Sequence, residues 1–163
     1  MSGKRAPLDL NGTGYCASFN FRRTARAVTR MYDAALQESG MRSTQWAILV
    51  SIAKSQPVAI GAVSDVLVVD RTTLTRSLRL LEREGLLTIS KRSTMRQRFL
   101  SLTEKGEDAL RRSLPAWRKA HQRFVDTVGS QYWIDLRNEL ETLSGVVMDL
   151  EESKRSVASP LEA

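Results

Sequence analysis

The chain has 163 residues, 42% of them hydrophobic, which is enough for one domain with an apolar core of its own. Its 25 Lys and Arg residues against 18 Asp and Glu residues give a formal net charge of +7, which favours a polyanionic partner. One cysteine and one histidine are too few for an internal disulfide or a tetrahedral zinc site. We expect no metal and no other cofactor.

The sequence lacks the motifs that are typical of several other classes of protein. The first residues contain no apolar signal-peptide core, and no run approaches the roughly 20 apolar residues of a membrane helix. There is no glycine-rich phosphate loop and no Gly-x-Ser-x-Gly motif, and a single histidine is available as a catalytic base. We therefore expect a cytoplasmic protein that has no membrane partner and is not an enzyme.

Two helices are predicted in the first third of the chain. Apolar residues recur every three or four positions over residues 18–39, and Gly40 can adopt the left-handed conformation that ends a helix. Ser43 or Thr44 can cap a second helix. Residues 46–52 of that helix are apolar on nearly all sides, so we expect it to be buried.

A short extended segment and a short helix are predicted next. Residues 58–60 follow a proline and are predicted to be extended, whereas residues 61–67 are predicted to form a brief helix. The side chains of this helix that are expected to face inward are Val63, Val66 and Leu67.

Asp70 is the clearest boundary signal in the sequence. Its carboxylate can accept the free backbone N–H groups of Thr72 and Thr73, and it lies at the positive end of the helix dipole. The helix that begins here is predicted to end at Gly85. Only two valines separate it from the short helix before it, and this spacing predicts a helix-turn-helix.

A β-hairpin is predicted after Gly85. Residues 86–89 and 99–102 are strand-like runs on either side of a polar, basic segment, residues 90–98. This tip is longer than the favoured hairpin loops of about two to five residues, and loops of that kind tend to be functional.

The C-terminal third is predicted to be a helical hairpin. Thr103 can cap it, and apolar residues spaced alternately by four and three form two seams that are separated by Gly129 and Ser130. The seams consist of Leu110, Leu114, Trp117, His121, Phe124 and Val128, and of Trp133, Leu136, Leu140, Leu143, Val147 and Leu150. We expect the hairpin to pack on the first helix and on a second copy of the chain, and residues 1–14 and 153–163 to be flexible.

Positive charge is concentrated in the helix that starts at Asp70 and in the hairpin. Residues 71–98 carry eight basic side chains against two acidic ones. On a helical wheel the leucines at 74, 78 and 81 fall on one side. The side chains on the opposite side are those of Thr72, Arg76, Arg79 and Arg83, and Thr75 lies between the two sides at about 100°. If the leucines anchor the helix, its cationic side must point outward.

Such a face has the chemistry of a DNA major-groove reader. Arginine can pair bidentately with guanine, threonine can bond base edges, and Arg71 at the helix start can bind phosphate. Arg92, Arg96 and Arg98 of the hairpin can enter the minor groove or bind flanking phosphates. Beside a helix-turn-helix, they predict a wing.

Four segments in this order resemble the MarR family of bacterial winged helix-turn-helix regulators. They are Thr44-Gln45-Trp46-Ala47-Ile48-Leu49, Val69-Asp70-Arg71-Thr72-Thr73-Leu74-Thr75-Arg76, Leu81-Glu82-Arg83-Glu84-Gly85-Leu86-Leu87 and Leu102-Thr103-Glu104-Lys105-Gly106. The resemblance spans about residues 17–150. It implies a mainly α-helical homodimer with a small β-hairpin wing, in which residues 17–41 and 104–152 form the dimerisation region and residues 42–103 the DNA-binding lobe.

The resemblance also implies roles for individual residues and a palindromic operator. It places Thr72, Thr73, Thr75 and Arg76 in the major groove, Thr44 near a phosphate and Arg96 at the tip of the wing. The family's wing usually carries an aspartate two residues before the tip arginine, where this chain has Thr94. Arg98 is therefore an alternative to Arg96 at that position.

The family implies a transcriptional repressor that a small aromatic or phenolic effector releases from DNA. The candidate pocket residues are Phe21, Trp46, Trp117 and His121, although aromatic residues at helical spacing and a histidine on an apolar seam are also typical of a plain core. The sequence does not name the operator, the regulated genes or the effector, and repression rather than activation rests on the resemblance alone.

Two alternatives remain open from the sequence. Cys16 lies near Tyr15, Tyr32, Arg22 and Arg23, and some MarR-type regulators sense organic peroxides through an N-terminal cysteine next to tyrosines; an inert, buried thiol is the plainer interpretation. The other alternative is a helical interaction module whose basic helix binds an acidic protein without reading DNA.

Overall fold

The computed structural model describes residues 8–91 and 97–157, and in this part of the chain helices alternate with three short strands. The elements are α1 (Ala17–Leu36), α2 (Ser43–Ala53), β1 (Val58–Ala59), α3 (Ile60–Leu67), α4 (Arg71–Arg83), β2 (Leu87–Lys91), β3 (Arg98–Leu102), α5 (Glu104–Val128) and α6 (Ser130–Val157). The predicted winged helix-turn-helix architecture is confirmed. The chain divides into two compact units, one that ends at Ala120 and one that begins at His121.

The connection between α1 and α2 differs in one detail from the prediction. A 3₁₀ turn, Gln37–Ser39, follows α1, and Gly40 has the expected left-handed backbone with φ of 69°. Neither Ser43 nor Thr44 caps α2, and that prediction is wrong. The acceptor is instead Asp33 of α1, whose Oδ1 lies 2.7 Å from the backbone nitrogen of Ser43. A carboxylate from a neighbouring helix thus satisfies one of the N–H groups that the first turn of α2 leaves without a partner inside the helix.

The core of the first unit lies between α2, α3, α4 and the sheet. Its fully buried side chains include Leu49 and Ile52 of α2, Val63 of α3, Leu74, Leu78 and Leu81 of α4, and Leu87 and Leu100 of the sheet. The burial of Leu74, Leu78 and Leu81 confirms the predicted inner side of α4. Apolar burial on this scale is the main stabilising contribution in a domain of this size.

One residue of α3 points the other way from the prediction. Val63 is buried, but Val66 is 72% exposed. At about 100° per residue, Val63, Ser64 and Leu67 span one arc of the helix and Val66 lies outside it. Ser64 lies on the side of α3 that faces the core, and its buried hydroxyl donates to the backbone oxygen of Val69 at 2.6 Å.

The sheet has the order β1-β3-β2 and is antiparallel throughout. Val58 of β1 lies opposite Leu100, and Lys91 of β2 lies opposite Arg98 of β3. The paired strands therefore extend further than predicted, because positions 90, 91 and 98 belong to the ladder rather than to the tip. Residues 92–96, which include the predicted tip residues Arg92 and Arg96, lie outside the described residues.

Close packing explains why a glycine, Gly106, occupies the first turn of α5. The Thr103 hydroxyl accepts the backbone N–H of Gly106 at 3.1 Å and donates to the Gly85 carbonyl at 2.6 Å, which confirms the predicted cap. A side chain at Gly106 would overlap the backbone carbonyl of Leu86, so only glycine allows α5 to approach the turn after α4 this closely.

The second unit begins inside α5 and continues into α6. Gly129, with φ of 94°, separates the two helices where the break was predicted. Trp133 of α6 packs edge-on against Phe124 and His121, with ring centroids 5.2 and 6.2 Å apart. The helix α6 is continuous to Val157. Across the described ranges, every helix is too short or too polar to cross a membrane.

Candidate nucleic-acid interface

The N-terminus of α4 is held by a single carboxylate. Asp70 Oδ1 accepts hydrogen bonds from the backbone nitrogens of Thr73 and Thr72, at 2.9 and 3.0 Å, as predicted. The hydrogen bonds from the side chain and backbone of Thr73, followed by that from Thr72, hold the pKa of Asp70 below its ordinary value. Asp70 is therefore ionised at neutral pH and fixes where α4 begins.

The cationic side of α4 faces outward. Its exposed residues are Arg71, Thr72, Thr73, Arg76, Arg79 and Arg83. Thr75 is half-buried, and its hydroxyl donates to the Arg71 carbonyl at 2.6 Å, which leaves the threonine oxygen as an acceptor. Because the leucines occupy the opposite side, the side chains that were expected to face outward are brought together on one surface.

The arginines of α4 are not neutralised by acids that the structure describes. Within residues 8–91 and 97–157 the ion pairs join Arg42 to Asp33 and Arg111 to Asp108, and neither involves α4. A shallow concavity of about 810 Å³ runs along the helix. It is lined by Arg71, Thr72, Thr75, Arg76, Ser77, Arg79, Leu80 and Arg83. Clustered guanidinium groups without counter-charges produce a positive potential that attracts a polyanion.

A second concavity, of about 360 Å³, lies between α4 and the wing strands. Thr75, Arg79 and Glu82 line it from the helix, and Lys91 and Arg98 line it from the sheet. Lys91 was not among the predicted binding residues. The alternation of side chains along β2 was the signal that could have found it, because Lys91 shares a face with Leu87 and Ile89.

The remaining predicted DNA-binding residues lie on other elements. Thr44 is exposed in the first turn of α2, and Arg98 is exposed at the first position of β3. Arg92 and Arg96 lie outside the described residues, so their role stays a prediction.

Two of the four predicted pocket residues meet in the first unit. The rings of Trp46 and Trp117 are stacked with centroids 4.6 Å apart, and Tyr32 stacks on Trp117 at 6.4 Å. Tyr32 was missed as a member of this aromatic stack. The indole nitrogen Nε1 of Trp46 is buried and has no hydrogen-bond partner among the described residues, which is costly for a donor of this kind.

The other two predicted pocket residues are Phe21 and His121. Phe21 is 49% exposed on α1. His121 is in the second unit, where its ring contacts that of Trp133. The effector pocket therefore stays a prediction.

Cys16 is exposed and immediately precedes α1. Its thiol is therefore accessible to solvent, as a sensing role requires, but exposure alone does not make a thiol reactive. The described residues contain no group of three His, Cys, Asp or Glu side chains that could hold a metal ion.

Comparison with known proteins supports the same class of fold. A family model described as a winged helix DNA-binding domain matches residues 41–106. Uncharacterised HTH-type transcriptional regulators of Staphylococcus aureus are 30% identical over 84 residues, which is 51% of this chain and 58% of theirs. The chain thus spans somewhat more than half the length of these curated relatives.

Solved structures match over more of the chain. The M. tuberculosis transcriptional regulator MosR, in a crystal structure with DNA, is 32% identical; the match covers 83% of this chain and 98% of that one, with a TM-score of 0.76. A MarR-family regulator from Rhodococcus is 18% identical and shares the fold, with a TM-score of 0.70 over 83% of this chain and 96% of that one. The chain belongs to the MarR family of winged-helix transcriptional regulators.

Proposed function

We propose that this protein binds double-stranded DNA in a sequence-specific manner, with α4 in the major groove and the wing beside it. The observation that carries the proposal is the outward side of α4, where arginines and threonines are exposed without described counter-charges above three buried leucines. An α-helix is about 10–12 Å wide with its side chains, which suits the roughly 12 Å width of the major groove.

The residues of α4 divide into two roles in this proposal. Arg76, with Thr72, Thr73 and Thr75, reads base edges, whereas Arg71, Arg79 and Arg83 bind phosphate. Thr44 binds a phosphate from α2, and the wing arginines Arg92, Arg96 and Arg98 contact the minor groove or flanking phosphates. Phosphate contacts supply affinity and base contacts supply specificity, so the two groups are separable by experiment.

The active form is proposed to be a homodimer on a palindromic operator. Exposed apolar residues support this, because α6 presents Leu143, Val146, Val147 and Leu150 at helical spacing, each about half exposed. Two-fold symmetry then predicts two half-sites about one helical turn apart, roughly 34–36 Å.

We further propose that the protein is a repressor and that a small aromatic effector releases it from its operator. The stack of Tyr32, Trp46 and Trp117 supports it, since the buried indole N–H of Trp46 has no described acceptor and a bound acid or phenol would supply one. The exposed thiol of Cys16 supports the alternative signal, an oxidant.

Selection of bound duplexes from random DNA tests the core of the proposal. We expect a palindromic consensus, and repeating the selection with a peroxide or with aromatic acids shows whether either signal abolishes binding. Arg83→Ala is expected to weaken binding to all duplexes alike, whereas Arg76→Ala is expected to weaken the consensus more, by roughly tenfold or above, and to flatten the preference.

Salt dependence separates DNA reading from the alternative of a basic helix that binds an acidic protein. A DNA reader loses affinity linearly in log[salt], with a slope of about −0.9 per neutralised phosphate, yet keeps its preference for the consensus. Equal behaviour of Arg76→Ala and Arg83→Ala on consensus and scrambled duplexes would remove the base-reading role from Arg76.

A further inference from the structure

The concavity between α4 and the wing gathers three cations from three elements, α4, β2 and β3. Arg79 lines it from the helix, and Lys91 and Arg98 line it from neighbouring strands, around a volume of about 360 Å³. Glu82 is the one acidic residue in its lining. None of these four side chains takes part in an ion pair among the described residues.

The register of the sheet explains why two of the cations converge. Leu87, Ile89 and Lys91 alternate along β2, so their side chains share one face, and they lie opposite Leu102, Leu100 and Arg98. Leu87 and Leu100 are buried on that face. Lys91 and Arg98 therefore lie on the same face of the sheet as these buried leucines, but beyond the end of the core and beside the exposed flank of α4.

The position of the concavity around α4 indicates which part of a duplex it meets. If the leucines mark the inner side, Arg76 lies about 160° away and faces the groove floor. Thr75 and Glu82 lie only about 80–100° from the leucines, and Arg79 lies between these positions and the groove floor, at about 140°. A helix nearly as wide as the groove presents such flanking positions to the groove walls, which are the phosphate backbones.

We propose that Arg79, Lys91 and Arg98 form a seat for one backbone phosphate, which sets the register of α4 in the groove. This inference rests on the proposed DNA binding and adds to it a defined anion site with a residue, Lys91, that the sequence did not single out. The ligand is a phosphodiester, so the seat contributes equally on every sequence, and Glu82 opposes it.

Two variants that remove charges of opposite sign test the proposed phosphate seat. Lys91→Gln is expected to lower affinity on the order of tenfold for consensus and scrambled duplexes alike, and to make the salt slope less steep by up to about 0.9 for each half-site. Glu82→Gln is expected to raise affinity for both duplexes. Lys119→Gln, which removes one exposed charge from α5, is the matched control for the loss of a lysine. Affinity is measured by fluorescence anisotropy over a range of salt concentrations.

Neutral phosphate analogues locate the contact. Replacement of one phosphate at a time by methylphosphonate should reveal one position in each half-site at which the substitution weakens the wild-type protein but does not weaken Lys91→Gln any further. Additive effects at every position, or a Lys91→Gln salt slope no different from that of Lys119→Gln, overturn the seat. A loss confined to the consensus duplex also overturns it, in favour of base reading. A wild-type protein that binds no duplex overturns the proposed function itself.

Discussion

At the scale of single residues, Asp33 connects the first helix to the DNA-binding lobe. Its Oδ1 accepts the Ser43 backbone N–H at 2.7 Å, and its other oxygen lies 3.8 Å from the Arg42 guanidinium. The hydrogen bonds from Ser43, supported by the charge of Arg42, hold the pKa of Asp33 below its ordinary value. The ion pair is largely exposed and contributes little, so the hydrogen bond is the main contribution of this carboxylate.

Asp33→Ala is expected to lower the free energy of unfolding by about 1 kcal/mol at neutral pH, as the loss of a helix cap does. Because the folded-state pKa is depressed, this stabilisation is present above the unfolded pKa of about 3.9 and is lost as the pH falls through the folded value. Thermal unfolding between pH 7 and pH 3 measures both effects. Asp65→Ala, at an exposed position on α3, is the control, and an equal pH dependence of the two variants contradicts the assignment.

At the scale of elements, the function proposed for α4 depends on its buried side. Leu78 is fully buried, whereas Leu80 on the same helix is 37% exposed. Replacement of leucine by alanine changes the helix propensity equally at the two positions. A difference in stability between the two variants therefore reports how strongly the buried leucine anchors the helix.

Leu78→Ala is expected to destabilise the protein by about 2–5 kcal/mol, because it removes buried methyl groups and leaves a cavity between α4 and the sheet. Leu80→Ala should cost much less. Denaturant unfolding monitored by circular dichroism compares the two variants. Similar losses of stability would mean that α4 is not anchored through its leucine side, and the outward presentation of its arginines would lose its basis.

At the scale of the whole molecule, charge and exposed apolar surface are distributed unevenly. Residues 71–98 carry eight basic side chains against two acidic ones, and residues 130–163 carry three basic side chains against seven acidic ones. The acidic segment includes the exposed apolar residues of α6. An apolar patch on an acidic helix suits a second copy of this chain better than it suits DNA, whose phosphates an acidic helix repels.

The double variant Leu143→Lys with Val147→Lys is expected to convert the dimer into a monomer of 18.3 kDa, because it places charges in the proposed apolar contact. Analytical ultracentrifugation measures the mass. Asn138→Lys adds a charge at an exposed polar position of the same helix and should leave the dimer intact. A monomeric wild-type protein, or dissociation by both variants alike, contradicts the proposed interface.

Local chemistry made most of the fold predictable. The Asp70 cap depends on backbone groups two and three residues away, the ends of helices at Gly40 and Gly85 depend on one backbone conformation each, and the leucine spacing of α4 depends only on the helical period. These features predicted the helix-turn-helix and the cationic side of α4, which together make the candidate interface recognisable.

Contacts between distant parts of the chain decided the rest. The hydrogen bond from Ser43 to Asp33, the pairing of β1 with β3 and the convergence of Lys91 and Arg98 on Arg79 all join residues that no local pattern relates. A short-range pattern reports the period of an element and the groups within a few residues of it. Which neighbouring element supplies an acceptor, a strand partner or a converging charge depends on how the elements pack, and packing is a property of the folded chain.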